Sequence, residues 1–98
     1  MEGFEVIALH ADGDVLEAVK QEKPDLLLLD VYLSHKQSGL DILDQLRHSQ
    51  DTKAVRVVMT SGLNVKDECL RRGANDFLLK PYMPDDLIRT LHKHIDHA

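Results

Sequence analysis

Pro24-Asp25-Leu26-Leu27-Leu28-Leu29-Asp30 is the stretch that decides the fold. Four consecutive leucines between a proline and an acid suit a strand buried on both faces, as in parallel α/β sheets. In such sheets chemistry collects outside the carboxyl ends of the strands, and Asp30 stands at that end. Two later apolar runs finish in the same manner. Val55-Arg56-Val57-Val58-Met59 leads into Thr60, and Phe77-Leu78-Leu79 leads into Lys80-Pro81. An acid, a hydroxyl and an amine at three strand ends form a candidate phosphoryl site. A carboxylate can attack phosphorus, an amine can neutralise charge, and a hydroxyl can hold the transferred group. An acid and a lysine by themselves are more often a strand-end ion pair. The agreement of three strand ends favours the phosphoryl reading.

Outward from residues 24–30, strand and helix signals alternate. Residues 4–9 are apolar and β-prone, and Asp12-Gly13-Asp14 reads as the turn that closes them. Residues 15–23 carry Val15, Leu16, Ala18 and Val19 at helical spacing, with Pro24 as the stop. Residues 34–39 read as a polar loop ending in glycine. Residues 40–48 place Leu40, Leu43 and Leu46 on one helical face. Residues 65–72 read as a short helix with Gly73 just past its end. Pro84, Asp85 and Asp86 suit the first turn of a last helix, whose apolar stripe is Leu87, Ile88, Leu91 and Ile95. The order β-α-β-α-β-α-β-α with short connections argues for a parallel sheet with right-handed crossovers. Residues 1–98 are expected to form a single domain.

The 98 residues carry 12 basic and 17 acidic side chains, a net charge of −5. That balance argues against nucleic acid as a direct partner. One cysteine, Cys69, allows no intrachain disulfide and suits a reducing cytosol. No apolar run is long enough to span a bilayer, so no membrane association and a cytoplasmic location are expected. Among six histidines, His92 and His94 are two apart and face different ways, while His94 and His97 could share a helical face. They are read as surface histidines favoured near a helix C-terminus. His10, His35 and His48 show no ligand partner. Cys69 is read as an ordinary residue, and Tyr82 as packing or part of an output surface.

In these motifs the chain resembles the receiver domain of two-component response regulators, the CheY-like form of the flavodoxin-like fold. The stretches that carry the resemblance are KPDLLLLDVYL, SGLDILDQLR, VRVVMTSG and RRGANDFLLKPYMPDDLIRTL. The resemblance implies that Asp30 is the phosphoacceptor for a sensor histidine kinase or phosphotransfer protein. It implies that Thr60 and Lys80 contact the phosphoryl group, that Pro81 is cis-linked, and that Phe77 is the switch aromatic. It implies a signalling module rather than an enzyme, with an output protein or domain as its second partner. An aspartate-nucleophile hydrolase would need a second acid soon after Asp30 and a cap region, and neither is present.

The resemblance also exposes departures. The opening MEGFEVIALHADGD matches the family's second strand and the tail of its first helix. An incomplete domain is therefore expected, without the family's first strand, its adjacent acidic pair and most of its first helix. Asp12 and Asp14 match a turn and do not replace that pair. Mg²⁺, which the complete family domain binds, is expected to bind weakly or not at all, with Asp30 as its remaining carboxylate. Two arrangements could cover the sheet: direct closure of residues 4–9 on residues 26–29 with a second copy over the bared face, or strand exchange. Either implies a homo-oligomer. The alternative function is a truncated receiver that cannot be phosphorylated and serves as an interaction or dimerisation module.

Overall fold

The computed structural model describes residues 6–9, 15–34 and 37–95. Phe4, His10, the Asp12-Gly13-Asp14 turn, His35 and His97 lie outside them. The elements run β1 (Val6–Leu9), α1 (Val15–Glu22), β2 (Leu26–Asp30), β3 (Tyr32–Ser34), β4 (Gln37–Ser38), α2 (Gly39–His48), β5 (Arg56–Ser61), α3 (Lys66–Arg71), β6 (Asp76–Leu79) and α4 (Pro84–Ile95).

Four of the strands form one parallel sheet in the order β1-β2-β5-β6. β1 lies directly against β2, with Val6 opposite Leu26 and Leu9 opposite Leu29. This is the strand pairing of the first of the two expected arrangements. The four leucines of β2 divide by the two-residue period of a strand. Leu27 and Leu29 enter a core with Val57, Met59 and Phe77, covered by Val19 of α1, Ile42, Leu43 and Leu46 of α2, and Cys69 of α3. Leu26 and Leu28 enter a second cluster with Val58 and Leu78, covered by Leu91 and Leu87 of α4. Both faces of β2 are thus buried, which is why its sequence reads as an unbroken apolar run.

Helix ends follow local chemistry. Lys23 adopts φ 47° just after α1, and Pro24 cannot continue the helix. Ser38 caps α2, its Oγ accepting the Leu40 N–H at 3.1 Å. Gly73 takes φ 108° after α3, a conformation that favours glycine. Met83 N–H donates to Asp86 Oδ2 at 3.1 Å and steadies the start of α4.

Two expectations need correction. Residues 34–39 are not a plain polar loop. β3 and β4 pair as an antiparallel hairpin, with an irregular register between Tyr32 and Ser34. A bend at Val31 separates β2 from β3, and β3 pairs back on β4 just before α2 begins. His94, in turn, is no surface histidine. Its Nε2 lies 2.9 Å from Asp76 Oδ2, and both side chains are 17% exposed. A stripe read at helical spacing does not reveal that an acid of β6 waits beneath the last turn.

The Asp76 carboxyl joins α4 to β6. Burial would raise it, but hydrogen bonds from His94 and the Phe77 N–H, with Lys93 nearby, more than offset burial and hold it below its usual value. A depressed carboxyl contributes stability above its unfolded value, about 3.9, and that contribution is lost as pH falls through the lowered folded value. Asp76→Asn is therefore expected to lower the melting temperature at neutral pH. The gap to wild type should close as the solution is acidified below about pH 4. Thermal melts of both proteins across that range check it.

Candidate functional site

The carboxyl ends of β2, β5 and β6 lie side by side. Asp30 stands opposite Thr60 in register, and Ser61 stands opposite Leu79, the residue before Lys80. Main-chain bonds fix this rim: Val31 N–H donates to the Thr60 carbonyl at 2.9 Å, and Lys80 N–H donates to the Ser61 carbonyl at 2.7 Å. The sheet itself therefore delivers the acid, the hydroxyl and the amine to one place.

Asp30 is held at both carboxylate oxygens. Oδ1 accepts the Tyr32 N–H at 3.1 Å, and Oδ2 pairs with Lys80 Nζ at 2.5 Å. Its side chain is 15% exposed, against 40% for Lys80. The acid is thus recessed but reachable, with its charge partner at the mouth. The Lys80–Pro81 peptide is cis. Lys80, Pro81 and Tyr82 line a neighbouring cavity of about 490 Å³.

Thr60 is fully buried, and among the described residues its Oγ1 is the buried side-chain oxygen without a hydrogen-bond partner. A buried hydroxyl left unpaired costs about 1–3 kcal/mol. Such a group beside a carboxylate–ammonium pair is a donor waiting for an acceptor. Phe77 lies one position before Leu78, the register partner of Thr60, and packs into the core rather than toward solvent. Tyr82 packs partly against the second cluster.

Among the described residues the rim does not assemble a carboxylate set for a resident Mg²⁺. That ion demands near-octahedral oxygen coordination, in which a protein supplies carboxylates beside water. Among the described residues no group of three or more His, Cys, Asp or Glu converges. Asp30 brings a single carboxylate whose two oxygens are already engaged. Cys69 is buried, and burial pushes its thiol up, with Glu68 acting in the same direction. It belongs to the core and not to any reactive site.

Two parts of the site escape a reading of strand ends. The Tyr32 N–H is a backbone group with no residue signature. Gly39 approaches so closely that a Cβ built on it would stand 2.0 Å from the Asp30 carbonyl oxygen. The glycine that ends residues 34–39 is visible in the sequence, but its contact with the end of β2 depends on the hairpin.

The response regulator receiver domain family model matches residues 1–92. This chain belongs to that family. The receiver is 35% identical over 91 residues to the transcriptional regulatory protein CpxR of Klebsiella pneumoniae, covering 93% of this chain and 38% of CpxR. It is 29% identical to the crystallised receiver domain of NtrX from Brucella abortus, with a TM-score of 0.81, covering 99% of this chain and 82% of that one. The receiver domain of the sensor histidine kinase PA1611 from Pseudomonas aeruginosa superposes with a TM-score of 0.71 at 25% identity, covering 83% of this chain and 68% of that one. That structure carries a magnesium ion in its active-site cleft. The receiver spans between 38% and 42% of the length of four curated relatives. Its fold is the flavodoxin-like arrangement of a parallel sheet between helices, as in these neighbours. Among the described residues no helix is long and apolar enough to cross a membrane.

Proposed function

We propose that this receiver domain takes a phosphoryl group on Asp30 from a histidine kinase or phosphotransfer protein and passes the signal by a change of conformation. The observation that carries the reading is the buried, unpartnered hydroxyl of Thr60 beside the Asp30–Lys80 pair. In the transfer an Asp30 carboxylate oxygen attacks phosphorus, and the phosphorus–nitrogen bond of a phosphohistidine breaks. The bonding electrons leave with the imidazole nitrogen. Lys80 follows the charge from the carboxylate to the phosphoryl oxygens, and Thr60 Oγ–H donates to one of them. The chain is thus a switch and a phosphoacceptor, not a turnover enzyme, and its setting is the cytoplasm. Its net charge of −5 disfavours direct contact with nucleic acid, so readout passes to a separate output protein or domain.

Incubation with acetyl phosphate or a phosphorylated phosphotransfer protein, followed by intact mass measurement, tests this. A single added phosphoryl group is expected on the wild type and none on Asp30→Asn. Lys80→Ala should slow labelling by about 10²–10³-fold, the loss typical of one preorganised charge partner. Undiminished labelling of Asp30→Asn would sink the assignment, and a wild type that stays unlabelled would favour an interaction module instead.

A further inference from the structure

We propose that the β3–β4 hairpin reads the charge on Asp30 and carries it to the first turn of α2. The hairpin is fastened to the phosphoacceptor at both ends. At its start, Tyr32 N–H donates to Asp30 Oδ1 at 3.1 Å. At its finish, Gly39 N–H donates to the Val31 carbonyl at 2.6 Å, and the Gly39 Cα rests against the Asp30 carbonyl. Between these points Tyr32 pairs with Ser38, the residue that caps α2. A change at Asp30 Oδ1 therefore reaches the α2 cap through one strand pair.

The trigger is electrostatic. The bond from Tyr32 N–H to an ionised carboxylate is charge-assisted, and such bonds are roughly twice as strong as neutral ones. When Asp30 becomes an acyl phosphate, the oxygen that does not bond phosphorus turns into a neutral carbonyl. The Tyr32 bond weakens, β3 loosens against β4, and the first turn of α2 frays. The path ends at α2, which packs on one sheet face with α1 and α3. α4 covers the opposite face.

The trigger rests on Asp30 as phosphoacceptor, but the charge-reading bond can be tested without phosphorylation. Amide hydrogen exchange resolved by NMR is measured on wild type, Asp30→Asn and Lys80→Met. Asp30→Asn removes the charge and keeps an acceptor, and exchange at Tyr32 is expected to quicken roughly fivefold, with a smaller gain at Gly39 and Leu40. Lys80→Met removes the other partner of Asp30 while its charge stays, and Tyr32 should exchange at the wild-type rate. The proposal is overturned if Asp30→Asn leaves Tyr32 unchanged, or if Lys80→Met quickens it as much. Wild type labelled with acetyl phosphate should match Asp30→Asn, and a labelled protein with unchanged Tyr32 exchange also overturns it. If Asp30→Asn quickens Tyr32 while acetyl phosphate adds no group, the hairpin reads charge as proposed and the phosphoacceptor reading fails.

Discussion

Gly39→Ala is expected to unfold or severely weaken this domain and to abolish labelling of Asp30. A Cβ at that position would meet the Asp30 carbonyl oxygen at 2.0 Å, the Asp30 carbonyl carbon at 2.9 Å and the Val31 Cα at 3.0 Å. All three are backbone atoms, so no side chain can rotate aside. Relief requires α2 to withdraw from β2, and that breaks the Gly39–Val31 hydrogen bond and moves the acid. Overpacking against immovable atoms costs about 3 kcal/mol or more. In a domain of this size that corresponds to a fall in Tm of more than about 10 °C. Gly62→Ala is the control, since a Cβ there meets nothing within 4 Å. It should change stability by no more than about 0.5 kcal/mol. Calorimetry on both variants checks the pair, and a Gly39→Ala protein melting with wild type would refute the close approach.

Arg47→Ala is the second large effect. From the middle of α2's last turn this guanidinium reaches under the amino ends of the strands. Nε donates to the Gly73 carbonyl at 2.9 Å, Nη1 to the carbonyls of Lys53 at 3.1 Å and Val55 at 2.7 Å, and Nη2 to Asn75 Oδ1 at 3.0 Å. Asn75 Oδ1 also accepts the Val57 N–H at 2.8 Å, so Arg47 ties α2 to both β5 and the turn before β6. Charge-assisted bonds are worth more than neutral ones, but water can reclaim the exposed acceptors, so the net loss is about 2–4 kcal/mol. Denaturant unfolding should show it as a lower midpoint with an unchanged slope. Arg47→Lys should recover little, because an ammonium cannot span a planar fork of four acceptors. Full recovery by lysine would show that charge alone, and not the fork, holds the end of the sheet.

Arg47 also shows where a reading of the sequence stops. The fold was legible because burial leaves a periodic trace: Leu26–Leu29 alternate between two cores, and Leu43 and Leu46 repeat at helical spacing. The acid, hydroxyl and amine of the site were legible because each terminates such a run, and strand ends in a parallel sheet converge. Arg47 terminates nothing. Its partners are three carbonyls and one amide from segments up to 28 residues away, and backbone acceptors leave no mark in side-chain identity. The hairpin stayed hidden for a related reason. Two strands of three and two residues are too short to leave a periodic run, so the sequence does not distinguish them from a loop. The Asp76–His94 contact joins residues 18 apart whose separate patterns, a strand start and a helix end, gave no sign of meeting.

The unpartnered hydroxyl of Thr60 has a consequence for how resistance to heat and signalling are linked. A buried donor with no acceptor is an imperfection in the resting fold, and valine, of nearly the same shape, would remove it. Selection for a tougher domain would therefore favour valine at that position, and selection for a responsive one would favour threonine. An anion that fills the gap does by occupancy what valine would do by chemistry. The resting protein is thus slightly less stable than its framework permits, and any bound acceptor that pairs with Thr60 recovers that shortfall.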